Sequence, residues 1–169
     1  MAPMPKVAII ELGSQYTLLI ERALRELGVR SVILGPKRAG EWFKQHEVKA
    51  IILSGGAASV YDKDAPQPPE EILSQRQVDG SPVFVLGICY GMQWLAHRLG
   101  GEVKAVPGQR EYGERKIHLR VLASEVIPPQ AGTVWMSHGD SVVRMPEGFR
   151  ALGYAADSGG LAAMTNGTL

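Results

Sequence analysis

Short runs that are apolar at nearly every position, separated by helix-forming stretches, constrain this chain more than any other feature. Val7-Ala8-Ile9-Ile10, Ser31-Val32-Ile33-Leu34, Ala50-Ile51-Ile52-Leu53 and Val83-Phe84-Val85-Leu86 do not alternate apolar with polar. A strand apolar on both faces has to be covered on both, and strands alternating with helices achieve this in a parallel sheet layered between helices. Right-handed crossovers then give a doubly wound α/β sheet. Ligands of such sheets sit beyond the carboxyl ends of the strands.

The intervening stretches carry their own signals. Ser14 is placed to cap a helix from 15 to about 27, in which Leu18, Leu19, Ala23, Leu24 and Leu27 recur at helical spacing and which Gly28 ends. A helical turn is expected over 41–46, a helix over 69–75 behind a proline-rich loop, and another over 90–99, closed by Gly100-Gly101. From Glu102 the texture changes to short β-rich segments at about 116–122, 133–137, 141–144 and 150–156. Turns at Pro128-Pro129, His138-Gly139-Asp140 and Pro146-Glu147-Gly148 divide them into an added antiparallel region. The strand 161–164 enters an Asn166-Gly167 turn suited to a type I′ hairpin, leaving Thr168 and Leu169 as a returning arm too short to pair usefully.

The length of 169 residues fits one domain, 1–169, with 45% apolar and 21% charged residues and a formal net charge of +1. That balance disfavours nucleic acid as a partner, and no run is long and apolar enough for a membrane span. Cys89 is the single cysteine, so no internal disulfide is available; with no leader peptide legible, a cytoplasmic protein is expected.

A lone cysteine is most often a small buried hydrophobe, so its neighbours have to argue for more. Gly87-Ile88-Cys89-Tyr90-Gly91 places it on a strand-to-helix turn in a G-x-nucleophile-x-G pattern. Small residues two before and two after allow strand and helix to approach around so sharp a turn. At a helix N-terminus the dipole and free N–H groups favour the thiolate, and the Tyr90 N–H is aimed where an oxyanion would develop. Ser54-Gly55-Gly56 ends the neighbouring strand. Taken alone it reads as a tight turn; beside the elbow, Gly56 becomes a second candidate oxyanion donor.

These stretches resemble class I glutamine amidotransferases. Ile52-Leu53-Ser54-Gly55-Gly56 and Gly87-Ile88-Cys89-Tyr90-Gly91-Met92-Gln93 match motifs of the whole class. Gly13-Ser14-Gln15-Tyr16-Thr17, Glu111-Tyr112-Gly113 and Trp135-Met136-Ser137-His138-Gly139-Asp140 are similar to the GMP synthase branch, in the same order along nearly the whole chain. The resemblance implies a flavodoxin-like sheet and hydrolysis of glutamine to glutamate and ammonia. Cys89 would be the nucleophile, forming a thioester, with the backbone N–H groups of Gly56 and Tyr90 holding the oxyanion. Gln93, Ser137, His138, Gly139 and Asp140 would bind substrate. It also implies partnership with a synthetase domain or subunit, which uses ATP and magnesium to aminate XMP to GMP. No cofactor is then needed in this domain, and the full enzyme would be a homodimer.

The departures from the family pattern are Ala57 for a proline after the double glycine, Glu11 for an aspartate after the first strand, and the lack of the Phe-His-Pro-Glu stretch that supplies base and orienting carboxylate. His97 lies eight residues beyond Cys89, about 12 Å along a helix, too far for a base. His46 reads as solvated, His118 as a strand-face residue, and His138 sits in a loop to which the family gives no proton-transfer role. The 169-residue chain is therefore expected to lack useful glutaminase turnover. Asp62 and Asp64 read as a solvated loop rather than a cation site. The segment 110–116 reads as a charged, exposed connector in which a docking role is open. Alternatives are a separate amidotransferase subunit of the same enzyme, a cysteine-based sensor or hydrolase on the same sheet, and a non-catalytic module that binds glutamine or a partner.

Overall fold

The computed structural model of the chain describes residues 4–105, 111–119 and 132–169, with the side chains of Glu111, Tyr112, Ser137 and His138 outside that description. The expected strand residues 120–122 and the Pro128-Pro129 turn also lie outside the described residues. The chain divides into two compact units, Met1–Met92 with Thr168–Leu169, and Gln93–Gly167.

In the first unit, strands β1 (Val7–Ile10), β2 (Ser31–Leu34), β3 (Ala50–Leu53) and β4 (Phe84–Gly87) form one parallel sheet in the order β2-β1-β3-β4. The doubly wound class read from the apolar runs is the class observed. Every residue of the inner strand β1 is buried. Helix α1 (Thr17–Glu26) lays Ile20 and Leu24 against Val7, Ile9 and Ile52. Each aliphatic side chain taken from water in this way contributes about 1.5–3 kcal/mol. Helix α2 (Pro36–Phe43), a 3-10 turn (Glu70–Ser74) and helix α3 (Tyr90–Arg98) complete the connections.

The register places the function-bearing loops together. Ile10 pairs with Leu34 on one side and Leu53 on the other, and Leu53 pairs with Gly87. The strand ends are therefore flush, and the segments beginning at Glu11, Ser54 and Ile88 leave the sheet along one edge, the carboxyl edge of its strands.

Several expectations need correction. Helix α1 starts at Thr17, not Gln15, and no side chain caps it; Ser14 Oγ instead accepts the Tyr16 N–H at 3.0 Å in the turn before the helix. Leu18, Leu19 and Leu27, read as its inward face, are 72%, 56% and 78% exposed, because the Ile20–Leu24 pair faces the sheet. Helix α2 begins five residues earlier than expected, with Pro36 in its first turn, where a fixed φ and a missing N–H do no harm. The sheet is not covered on both faces at β4: Phe84 and Leu86 are more than half exposed while Val85 between them is buried.

The second unit carries the rest of α3, an antiparallel pair of β5 (Glu102–Ala105) with β8 (Asp140–Arg144), and an antiparallel sheet in the order β10-β9-β6-β7. That sheet contains β6 (Glu111–Leu119), β7 (Gly132–His138), β9 (Arg150–Ala155) and β10 (Leu161–Thr165). The expected antiparallel region is present. The charged segment 110–116 is not a connector from Glu111 onward: β6 runs through it, pairing Glu111 with His138 and Ile117 with Gly132. Glu114, Lys116 and His118 alternate with half-buried Gly113, Arg115 and Ile117, a period of two hidden by charge on both faces. Strand β5 was not foreseen; its one apolar anchor is the fully buried Val103. The returning arm after Gly167 (φ +100°) does find a partner, since the Thr168 carbonyl accepts the Val85 N–H of β4 at 3.0 Å.

Candidate active site

The turn from β4 into α3 holds a strained backbone. Cys89 has φ +51°, the only non-glycine residue with positive φ among those described. Side chains with a Cβ enter this left-handed region at a cost of about 1–3 kcal/mol, and such strain persists only where surrounding structure enforces it. The enforcement is visible in the flanking glycines. A Cβ on Gly87 would lie 2.6 Å from the Gly91 carbonyl carbon and the Met92 nitrogen. A Cβ on Gly91 would lie 2.6 Å from the Leu53 carbonyl oxygen. Both small residues of the elbow are thus required by backbone packing, as the spacing in the sequence suggested. The Ile88 N–H donates to the Leu53 carbonyl at 3.0 Å and locks the turn to β3.

Cys89 is half-buried and is not sealed in the interior. Burial pushes its thiol above the ordinary value, while the backbone N–H groups of Tyr90 and Gly56 hydrogen-bond toward it and pull in the opposite direction. The sequence leads one to expect free N–H groups that favour the thiolate; the two that act on the sulfur do so, but burial opposes them and is the larger effect. What the two N–H groups provide is a pair of donors converging on one sulfur, an arrangement that can stabilise negative charge on an atom bonded there.

The double-glycine loop is fitted to this task. A Cβ on Gly55 would sit 3.3 Å from Cys89 Cβ and 3.7 Å from Ser14 Oγ, so the loops after β1, β3 and β4 meet around the cysteine. A Cβ on Gly56 would overlap the Leu12 carbonyl oxygen. The Tyr90 side chain is wholly buried and its hydroxyl donates to the Pro66 carbonyl at 2.7 Å, fastening the start of α3 to the proline-rich loop. Glu11, at the position where the family has aspartate, accepts the Gly13 N–H through Oε1 at 2.6 Å and closes the first loop. Sequence reasoning missed the side chain of Ser54. It is fully buried, accepts the Leu12 N–H at 2.8 Å and donates to the Gly55 carbonyl at 3.1 Å.

The other proposed substrate residues belong to the second unit. Gln93 is 3% exposed, and its Nε2 donates to the Asp140 carbonyl at 2.8 Å, tying α3 to the start of β8. Gly139 is the bend between β7 and β8, and Ser137 and His138 end β7, opposite Tyr112 and Glu111. Of the remaining histidines, His46 is not free in solvent. Its ring stacks on Trp42 at 4.3 Å, with Nδ1 3.0 Å from the Trp42 carbonyl oxygen. His97 and His118 are exposed. Asp62 is exposed and accepts the Ser59 N–H at 2.8 Å as a loop-closing group. Among the described residues no cluster of His, Cys, Asp or Glu suits a metal, and no helix is long and apolar enough to cross a membrane.

Comparison with known proteins gives a consistent result. The family model described as glutamine amidotransferase class-I matches residues 8–169. The chain is 46% identical over 157 residues to a GMP synthase [glutamine-hydrolyzing] of Nitrobacter hamburgensis, covering 90% of this chain and 28% of that protein. It is 44% identical over 163 residues to the protein of that name in Chlorobium limicola, covering 92% of this chain and 30% of that one. The chain thus spans less than a third of the length of the curated relatives it matches. Among solved structures, a protein assigned as a GMP synthase subunit from Thermoplasma acidophilum superposes with a TM-score of 0.75 at 26% identity, over 99% of this chain and 81% of that one. A glutamine amidotransferase from Thermotoga maritima shares the fold, with a TM-score of 0.75 at 23% identity, over 98% of this chain and 73% of that one.

Proposed function

The chain belongs to the class I glutamine amidotransferase family, and on that premise we propose that it binds glutamine and that Cys89 is the nucleophile attacking the side-chain amide. The observation that carries this reading is the convergence of the Gly56 and Tyr90 N–H groups on the Cys89 sulfur at a strained strand-to-helix turn. Attack by the thiolate on the amide carbon places negative charge on the former carbonyl oxygen, and two fixed donors lower the barrier by holding that charge. The amide nitrogen takes up a proton as the carbon–nitrogen bond breaks, so that it leaves as ammonia and a γ-glutamyl thioester remains on Cys89. Water then releases glutamate and returns the thiol.

Gln93, Ser137, His138, Gly139 and Asp140 are the proposed contacts for glutamine. Support for this assignment is the order of these motifs along the chain and the hydrogen bond that joins Gln93 to Asp140. The identity with GMP synthases supports a finer reading, in which the ammonia serves amination of XMP by an ATP-using synthetase domain or subunit.

Incubation of the purified protein with glutamine, followed by acid quench and peptide mass spectrometry, tests the reading. A γ-glutamyl group on the Cys89 peptide, absent from Cys89→Ser, is the expected result. Binding of glutamine that is unaffected by Cys89→Ser, with no acylation at any time, would favour the non-catalytic module instead.

A further inference from the structure

The planarity of one peptide unit links a buried hydroxyl to the candidate oxyanion hole. The carbonyl of Gly55 and the N–H of Gly56 belong to the same rigid trans peptide, so they point in opposite directions and turn together. Ser54 Oγ donates to that carbonyl at 3.1 Å. The same oxygen accepts the Leu12 N–H at 2.8 Å, so the hydroxyl is itself anchored from β1's end. Ser54 is 0% exposed, leaving no solvent to compete for either bond. Its own N–H is spent on the Ile10 carbonyl at 3.0 Å, continuing the β1–β3 ladder.

We propose that Ser54 is a positioning residue, whose hydroxyl holds the Gly55–Gly56 peptide in the orientation that aims the Gly56 N–H at Cys89. Glycine at 55 and 56 lets the backbone approach the cysteine, but two glycines also leave that peptide free to rotate. The relay from the Leu12 N–H through Ser54 Oγ to the Gly55 carbonyl removes the freedom that the glycines introduce. A second constraint acts from the other side, because the Leu12 carbonyl oxygen fills the space where a Gly56 side chain would begin. Residue 12 therefore grips the peptide twice, once through the serine and once by contact. The proposal rests on the reading of Gly56 as an oxyanion donor, but its test does not require glutamine to bind or react.

The test compares the pH dependence of Cys89 alkylation by iodoacetamide in wild type, Ser54→Ala and Ser54→Thr, read on the Cys89 peptide. With the latch removed, the Gly56 N–H no longer supports the thiolate. The alkylation midpoint of Ser54→Ala moves upward, and its rate at pH 7 falls about three- to ten-fold. Ser54→Thr, which keeps the hydroxyl, retains the wild-type midpoint. A folded Ser54→Ala protein with an unchanged midpoint overturns the proposal. A measurement on wild type stands even if the alanine variant does not fold. Deuteration of the Ser54 hydroxyl shifts the ¹³C resonance of the Gly55 carbonyl if the bond is present, and no isotope shift there overturns the latch. Failure of Cys89 to take a glutamyl group, with the latch results as expected, would instead count against the proposed function.

Discussion

Gly56 and Leu12 meet so closely that no β-carbon fits between them: the Leu12 carbonyl oxygen occupies the place where a side chain at 56 would start. Gly56→Ala must therefore displace the loop that carries one of the two N–H groups directed at Cys89. The expected result is loss of about 10²-fold in the rate of Cys89 acylation by glutamine, with about 1–3 kcal/mol lost in stability. Gly35→Ala is the control, because a Cβ there meets nothing within 4 Å. Rapid-quench mass spectrometry and urea unfolding read the two effects.

The elbow glycines predict a different balance. A Cβ at Gly91 would press on the Leu53 carbonyl oxygen at 2.6 Å and the Leu53 Cβ at 2.7 Å, both held in a central strand. Gly91→Ala is expected to act first on stability, lowering the unfolding midpoint by the equivalent of about 1–3 kcal/mol, because strand and helix cannot separate without breaking the turn. Thermal denaturation checks this.

The buried amide of Gln93 carries a testable chemical sign. Gln93→Leu removes the Nε2 donor from the Asp140 carbonyl, which costs about 0.5–1.5 kcal/mol, and glutamine affinity by calorimetry falls. Gln93→Glu behaves differently with pH. The ionised carboxylate faces a carbonyl oxygen and repels it, whereas the protonated acid can donate. Amide exchange near Asp140 in Gln93→Glu should approach the wild-type rate at acid pH and exceed it at neutral pH.

Cys89 titrates above an ordinary thiol because burial outweighs the two N–H bonds. Deprotonation creates charge in a partly desolvated site, so less thiolate is present at neutral pH than in a free cysteine. Its alkylation rate should keep rising through the pH range in which a model thiol has already levelled off. A midpoint below that of a free thiol would contradict the burial account.

Much of this was legible in the sequence because the signals were local. The runs at β1, β3 and β4 marked out the parallel sheet, and the glycines two before and two after Cys89 marked a turn whose crowding the structure bears out. The inward face of α1 was misread because leucine occupies positions on two sides of the helix, and only packing against Val7, Ile9 and Ile52 selects the Ile20–Leu24 side. Strand β6 is legible from residue 116 onward, but its first half is hidden by its charges: Glu114 and Lys116 lie on one face, and Arg115 on the other reaches Asp157 at 3.5 Å. Ser54 was invisible for another reason. A serine before two glycines reads as a turn residue, and its burial and two hydrogen bonds depend on the sheet register that brings Leu12 beside it.

The most direct test of Cys89 as a glutamine-directed nucleophile uses a chloroketone analogue of glutamine, whose chloride the thiolate displaces to form a stable thioether. The account predicts one label per chain, located on Cys89, suppressed by added glutamine and abolished in Cys89→Ser. Labelling that glutamine does not suppress, or that survives in Cys89→Ser, would contradict it.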